Sequence, residues 1–214
     1  MATLASAPEQ CIVLHDVAWD TYERLLRDHA NQSVPHFTFD RGTLEIMSPL
    51  ASHERLNRML QLLLPVVAEA TDSDLYSLGS PTFKREDLQR GFEGDSCFYV
   101  QNEARVRGKE RIDLPADPPP DLVVEVDVTH STLDKLAVYR AIGVPEVWRY
   151  DGGRLEFLVL EGDGYLEQPA SHAFPHIRST ALATLLDDGR ALTDIAWIRR
   201  VRRWTSTFTP ANHG

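Results

Sequence analysis

The spacing of hydrophobic residues changes several times in the first third of the chain, and each spacing predicts a different element. Apolar residues recur at helical intervals between residues 17 and 30, which is typical of an amphipathic helix. In residues 36–48 they alternate with polar ones around an Asp-Arg-Gly turn, which predicts a β-hairpin. Residues 52–70 then predict a long apolar helix, which Pro65 should kink or split because proline lacks a backbone donor.

The segment at residues 121–135 has the pattern of a buried strand that leads into a helix. Four valines within eight residues put apolar side chains on both faces of the strand, as in the centre of a sheet. The helix should end at Gly143, and turn residues beyond position 150 predict an antiparallel meander. This order of elements predicts an α/β (α+β) domain built around one mixed sheet flanked by helices.

Acidic residues interrupt the apolar pattern of this strand on one face. Side chains alternate along a strand, so Glu125 and Asp127 lie on the same side. Unpaired buried carboxylates are costly, so these acids need a cation or an open end of the sheet. Asp95 follows Gly91 and Gly94 near another strand, where it could face Glu125. Such carboxylates predict a site for Mg²⁺ or Mn²⁺, because these cations prefer oxygen ligands.

A lysine at the start of the next helix completes this candidate site. The ammonium group of Lys135 can point back over the end of the acidic strand, where it would position a water or offset charge on a phosphoryl oxygen. Two ordinary alternatives stay open. Glu125 can be a surface carboxylate or an ion-pair partner, and Lys135 can be a solvated surface residue.

Composition restricts the class of protein to which these motifs can belong. A chain of 214 residues with 43% hydrophobic content can bury a full core, so we expect a single domain over residues 1–214, with a loose N-terminus at residues 1–12. It has two cysteines, no secretory leader and no apolar run of about 20 residues, which predicts a cytoplasmic protein that does not enter a membrane.

The net charge of −10 argues against a protein that binds nucleic acid through its overall charge. Two local basic segments, one in the middle of the chain and one near its C-terminus, offer another route to a phosphate backbone. Solvated surface charge is the alternative explanation for both. The segment that we predict to contact a nucleic-acid backbone contains Arg105, Arg107, Lys109 and Arg111.

Three stretches resemble the Uma2 family of the PD-(D/E)XK restriction-endonuclease-like superfamily. They are GFEGDSCFYVQNE, PPPDLVVEVDVTHSTLDKLAVYRAIGVPEVWRYD and LEIMSPLASHERLNRML, and the resemblance spans about residues 15–170. It implies an αβββαβ core and metal-dependent phosphodiester hydrolysis, with Asp95 and Glu125 as metal ligands. Asp127 stands where the superfamily motif has its lysine. In Uma2-like sequences that lysine is displaced to the following helix, which matches Lys135.

The resemblance also implies roles for residues around the central acids. Asp127 would join the metal shell or accept a hydrogen bond. Glu45 in the first hairpin and His53 in the following helix lie in regions that border the metal cleft in such folds, and His53 would orient a water or a phosphate. A lone helical histidine is more often packed or hydrogen-bonded, so that alternative stays open. Residues 171–214 are expected to form a C-terminal extension.

The sequence therefore predicts a Mg²⁺-dependent endonuclease that hydrolyses phosphodiester bonds of nucleic acid, with DNA favoured over RNA. Two other classes stay open: a catalytically silent binding or assembly module on the same fold, and a small-molecule phosphodiesterase. A homodimer is expected because the meander offers strand edges. Trp148, Phe157 and Tyr165 are its candidate contacts, unless they fill the core.

Overall fold

The computed structural model describes residues 10–114, 116–127, 133–151 and 153–208, and within these ranges the chain forms eleven strands and six α-helices. The strands are β1 (Gln10–Leu14), β2 (His36–Asp40), β3 (Thr43–Ser48), β4 (Tyr76–Gly79), β5 (Thr82–Arg85), β6 (Arg90–Glu93), β7 (Ser96–Tyr99), β8 (Leu122–Asp127), β9 (Glu146–Asp151), β10 (Arg154–Glu161) and β11 (Gly164–Gln168). The helices are α1 (Trp19–Asp28), α2 (Ala51–Ala70), α3 (Glu103–Val106), α4 (Lys135–Ile142), α5 (Ser179–Gly189) and α6 (Asp194–Thr205).

The strands form two sheets. The six-stranded sheet has the order β11-β10-β9-β8-β7-β4 and is mixed, because β8 runs parallel to β9 and antiparallel to β7. It is the predicted central sheet, and β9, β10 and β11 are its predicted meander. The five-stranded sheet, β1-β3-β2-β6-β5, is antiparallel and contains the predicted β2–β3 hairpin. The α/β class with a mixed central sheet is thus confirmed, and the predicted hairpin belongs to a second, antiparallel sheet.

The acidic strand β8 is buried on both faces, as its valines predict. Val124 and Val126 belong to a core cluster with residues of α2, α5 and α6. Val123 belongs to a second cluster with residues of α4, β6 and β9. The end of β8 therefore lies between helices on both sides, and any carboxylate there must find its partners inside the protein.

Helix α2 continues through Pro65 without interruption, so the predicted split is wrong. The side chain of Pro65 is exposed, while apolar residues on the opposite side of the helix are fully buried against the core. Packing of such a face contributes most of the stability of a helix in a protein, and here it offsets the missing backbone donor. No helix in the described part of the chain combines the length and the apolar character that a bilayer span requires.

Both ends of the described chain pack against the rest of the fold. Residues 10–12, expected to be loose, belong to β1 and pair with β3. Helices α5 and α6, in the expected C-terminal extension, contribute to the main core, where Trp197 Nε1 donates a 2.9 Å hydrogen bond to the carbonyl of Met59 on α2. Trp148 and Phe157 are fully buried and stack at 4.6 Å, so they are core residues and not exposed dimer contacts. The homodimer stays a prediction.

Candidate functional site

Asp95 lies where the chain passes from one sheet to the other. Strand β6 belongs to the five-stranded sheet and β7 to the six-stranded sheet, and only Gly94 and Asp95 separate them. A Cβ atom at position 94 would lie 2.8 Å from Val123 Cγ1 and 3.3 Å from Glu125 Oε1, so glycine allows this step to lie against β8. The close approach brings Asp95 to the carboxyl end of β8.

The carboxylate of Asp95 is buried and is contacted from three elements. Oδ2 accepts a 2.7 Å hydrogen bond from Val126 N–H of β8 and lies 2.8 Å from His53 Nε2 of α2. Oδ1 lies 3.4 Å from His36 Nδ1 of β2. Burial raises the pKa of Asp95, but the contacts with His36 and His53 outweigh it and hold the pKa well below its ordinary value. Asp95 is therefore a carboxylate at neutral pH.

The backbone at Asp95 is also held by a chain of polar side chains from α2. Asn57 Nδ2 donates to the Asp95 carbonyl at 3.0 Å, and Asn57 Oδ1 accepts from Ser96 Oγ at 2.7 Å. Gln61 Nε2 in turn donates to Ser96 Oγ at 2.8 Å. Because α2 is fixed in the core, these bonds restrict the position of the Asp95 carboxylate as well.

Glu125 is buried close to Asp95 and accepts hydrogen bonds from two side chains. Oε1 accepts a 2.6 Å hydrogen bond from the Tyr139 hydroxyl, and Oε2 accepts a 3.1 Å bond from Lys135 Nζ. Burial raises the pKa of Glu125 above its ordinary value, and the charge of Asp95 adds to this rise while Lys135 opposes it. The two acids of the cluster are thus shifted in opposite directions.

Lys135 is the first residue of α4, which Asp134 caps by accepting a hydrogen bond from the backbone of Ala137. Its ammonium group lies between two carboxylates, 3.1 Å from Glu125 Oε2 and 3.3 Å from Glu45 Oε1 of β3. Burial alone would lower the pKa of Lys135, but the neighbouring negative charges outweigh it, and the pKa lies above its ordinary value. Lys135 is therefore a permanent cation.

An open cavity of about 200 Å³ borders this cluster. Its polar lining comes from β8, α4 and β9 and consists of Glu125, Asp134, Lys135, Tyr139 and Arg149. Three apolar residues complete it: Leu133, Leu136 and Val147. Glu125 and Lys135 are thus the members of the acidic cluster that a ligand in this cavity would contact.

The structure brings together the predicted residues Asp95, Glu125, Lys135, Glu45 and His53. Glu125 is only 6% exposed and the side chain of Lys135 only 20%, so neither is the solvated surface residue of the ordinary alternative. Glu125 is an ion-pair partner, which was the other alternative. The side chain of Asp127 lies outside the described residues.

The predicted basic segment has partners of its own in the structure. Arg107 forms an ion pair with Glu103, and Lys109 forms one with Asp117. Arg105 Nη1 donates a 3.2 Å hydrogen bond to the side chain of Asn102. Much of the charge in this segment is therefore balanced locally, and its contact with nucleic acid stays a prediction.

Two residues of the cluster were not predicted from the sequence. His36 is the first residue of β2 and carries no spacing signal that links it to Asp95. Tyr139 occupies a buried position of α4, where an aromatic residue is ordinarily part of the core. A signal for Tyr139 does exist, because it lies four residues after Lys135 and so shares its helix face.

The oxygen atoms of the cluster fit a hard cation that keeps most of its waters. Asp95 Oδ1 is buried and receives no hydrogen bond in the described part of the chain, and Glu125 brings a second carboxylate to the same end of β8. Mg²⁺ commonly binds one or two carboxylates together with waters. No three His, Cys, Asp or Glu residues within the described ranges are arranged to hold a metal, so a closed zinc-type site is not formed there.

Comparison with known proteins identifies one family, and the matched region contains all residues of the site. The model of the Uma2 family, described as "Putative restriction endonuclease", matches residues 19–193. The chain belongs to the Uma2 family. Among solved structures, it is similar to a protein of Anabaena variabilis ATCC 29413 described as "a putative nuclease belonging to DUF820", with 13% identity, a TM-score of 0.47, and coverage of 88% of this chain and 99% of that one. No match was found among curated proteins.

Proposed function

We propose that this Uma2 protein is a Mg²⁺- or Mn²⁺-dependent endonuclease that hydrolyses phosphodiester bonds, with DNA as the preferred substrate. One observation carries the proposal: Asp95, Glu125 and Lys135, which are distant in sequence, meet at the end of one buried strand beside an open cavity. The description of the family as a restriction endonuclease supports a nuclease.

In this proposal the two acids have separate tasks. Asp95 and Glu125 would hold the cation, which when bound supplies an activated water and polarises the scissile phosphate. His53 and the backbone N–H of Val126 fix the orientation of the Asp95 carboxylate. His53 is 1% exposed, so it acts as a positioning residue and does not contact the substrate.

Lys135 stabilises negative charge and does not abstract protons. Its raised pKa keeps the ammonium group protonated at neutral pH, so it has no free lone pair to accept a proton. From its place in the cavity wall it can donate N–H to a phosphoryl oxygen as charge builds there in the transition state. Glu45 and Glu125 hold the ammonium group at this position.

A small-molecule phosphodiesterase is the second candidate. The size of the cavity and the local pairing of Arg107 and Lys109 both favour a compact phosphodiester over a long polyanion. The same residues would perform the same hydrolysis.

A substrate panel separates these possibilities. The purified protein is incubated with Mg²⁺ or Mn²⁺ and plasmid DNA, single-stranded DNA, RNA or a chromogenic phosphodiester. The proposal expects cleavage of DNA that is lost in Asp95→Asn and Glu125→Gln and retained in Glu167→Gln, which changes an exposed carboxylate of β11. Cleavage of the chromogenic ester alone would support the second candidate. No metal-dependent cleavage of any substrate would leave a silent binding module.

A further inference from the structure

Arg149 lies beside Glu125 in the central sheet. β8 and β9 are parallel, and their register pairs Glu125 with Arg149, so the two side chains lie on the same face. Arg149 lines the same cavity as Glu125 and Lys135, and its side chain is 36% exposed. Neither the predicted basic segment nor the acidic cluster includes it.

The known contacts of Arg149 leave part of its guanidinium available. Nε and Nη2 donate to the same oxygen of Glu156, Oε2, at 2.8 and 2.6 Å. Nη1 has no hydrogen-bond acceptor in the part of the chain that the structure describes. The other oxygen of Glu156 lies 3.1 Å from Arg154 Nη1, so Glu156 is shared by two arginines.

Arg149 differs in this respect from Lys135, the other cation of the cavity. The Lys135 ammonium group is held between two carboxylates, and its position is fixed by them. One carboxylate, that of Glu156, accepts hydrogen bonds from Nε and Nη2 on one edge of the planar guanidinium of Arg149. These bonds fix the orientation of the group and leave Nη1 to donate to a ligand. A guanidinium held in this way is suited to bind the oxygens of a phosphate group.

We propose that Arg149 binds a non-bridging oxygen of a substrate phosphate in this cavity, with Glu156 as the residue that orients its guanidinium. The proposal rests on the proposed function, because it takes the ligand of the cavity to be a phosphodiester. It assigns phosphate binding to β9, at the open side of the cluster, and not to the locally paired segment of residues 105–111.

Binding without cleavage tests this directly. A fluorescently labelled DNA duplex is titrated in EDTA, over a range of salt concentrations, with the wild type, Arg149→Gln and Arg154→Gln. Arg154 contacts the same glutamate from β10 but does not line the cavity, so it is the matched control. Arg149→Gln is expected to raise Kd about tenfold or more and to lower the salt slope by about one. Arg154→Gln is expected to bind like the wild type.

A second variant separates phosphate binding from structural damage. Glu156→Gln keeps Arg149 but removes its orienting charge, whereas Arg149→Gln leaves Glu156 with Arg154 alone. Glu156→Gln is therefore expected to raise Kd by less than Arg149→Gln, because the guanidinium is still present but less firmly oriented. An equal loss would mean that the contact with Glu156, and not a direct contact of Arg149 with phosphate, sets the affinity. That result, equal loss in Arg149→Gln and Arg154→Gln, or unchanged affinity in Arg149→Gln, would overturn the proposal. Thermal melting of each variant confirms that folded protein is compared.

The outcome for Arg149 is distinguishable from the outcome for the proposed function. If the wild type binds DNA through Arg149 but cleaves nothing with Mg²⁺ or Mn²⁺, the endonuclease proposal fails and the phosphate site stands. If the wild type cleaves DNA and Arg149→Gln keeps both its Kd and its KM, the nuclease stands and the Arg149 proposal fails.

Discussion

Two hydrogen-bond networks around buried carboxylates lie in the central sheet, and they differ in the charge of the groups that contact the carboxylates. Glu146 at the start of β9 is fully buried and accepts four hydrogen bonds, from Trp148 Nε1, Ser171 Oγ and the backbone N–H groups of His172 and Ala173. Every one of these donors is uncharged. The cluster at the end of β8 is instead built from ionisable groups and borders a cavity.

The contrast shows what distinguishes a structural carboxylate from a candidate functional one. The carboxylate oxygens of Glu146 are occupied by Trp148 of the same strand and by the segment at residues 171–173, so they have no acceptor left for a ligand. Within the described residues, Asp95 Oδ1 is buried, receives no hydrogen bond and lies 3.4 Å from His36 Nδ1, and Glu125 lines a cavity. Burial alone does not separate the two networks. The two networks differ in whether the partners of each carboxylate are ionisable, and in whether a carboxylate oxygen is left to bind a ligand.

The largest expected difference between the networks is in the rate of cleavage. If the proposed function holds, Glu125→Gln should lower the rate of DNA cleavage by roughly a thousandfold, because a neutral amide would replace the charged oxygen of a proposed metal ligand. Glu146→Gln should leave the rate of the folded protein unchanged. Initial rates on plasmid DNA measure both, with circular dichroism as the test of folding. Equal losses in the two variants would remove the distinction.

Substitution of Lys135, the cation of the cluster, should lower the rate less than substitution of Glu125. Lys135→Gln should lower kcat by about a hundredfold, since it removes one donor to the developing charge. It should also raise the pKa of Glu125 further, because Lys135 opposes that rise. The acid limb of the pH–rate profile should therefore move to higher pH. Lys84→Gln, which removes a lysine paired with Glu23, is the control and should keep the wild-type profile.

The order of effects should reverse when stability is measured. Glu146→Ala removes the acceptor of four buried donors, and we expect the free energy of unfolding to fall by about 1–3 kcal/mol. Glu125→Gln keeps the shape of the side chain and relieves the repulsion between Glu125 and Asp95, so its loss of stability should be smaller. Urea unfolding monitored by tryptophan fluorescence compares them. A larger loss for Glu125→Gln would contradict this assignment of roles.

The smallest effect concerns His36 and depends on pH. Burial lowers its pKa, but Asp95, Glu125 and Glu93 together raise it above the ordinary value of 6.5. A group with a raised folded pKa stabilises the fold fully below its unfolded pKa and loses this contribution as the pH rises through the folded value. The stability advantage of the wild type over His36→Gln should therefore be larger at mildly acid than at mildly alkaline pH. Urea unfolding at both pH values measures it, and a constant difference would contradict it.

The sequence predicted the elements in which the spacing of apolar residues shows which side chains are buried. β8 is recognisable because valines occupy both faces, and the β2–β3 hairpin because apolar residues alternate with polar ones on either side of a turn that contains Gly42, which has a positive φ in the structure. The cap of α4 at Asp134 was not predicted, although aspartate is an ordinary N-cap residue. The alternation of side chains along β8 and the glycines before Asp95 made Glu125 and Asp95 candidate metal ligands, and the family resemblance added phosphodiester hydrolysis as their reaction.

The rest depended on contacts between segments that are distant in sequence. β1 is a five-residue edge strand with mostly exposed side chains, so it has little hydrophobic pattern to detect. The contact of His36 with Asp95 requires β2 and the β6–β7 step to meet, which the sequence does not encode locally. Pro65 does not split α2, because the opposite face of the helix is buried against the core, and this burial depends on segments that are distant in sequence.

The two-residue step at Gly94 and Asp95 joins the sheets at the same point where the ionisable cluster forms. Glu45 comes from the five-stranded sheet, Glu125 from the six-stranded sheet, and Lys135 bridges them. A ligand that binds to this cluster therefore adds its binding free energy to the association of the two sheets. A ligand of this cluster should make the whole molecule unfold more cooperatively, and separation of the sheets should release it.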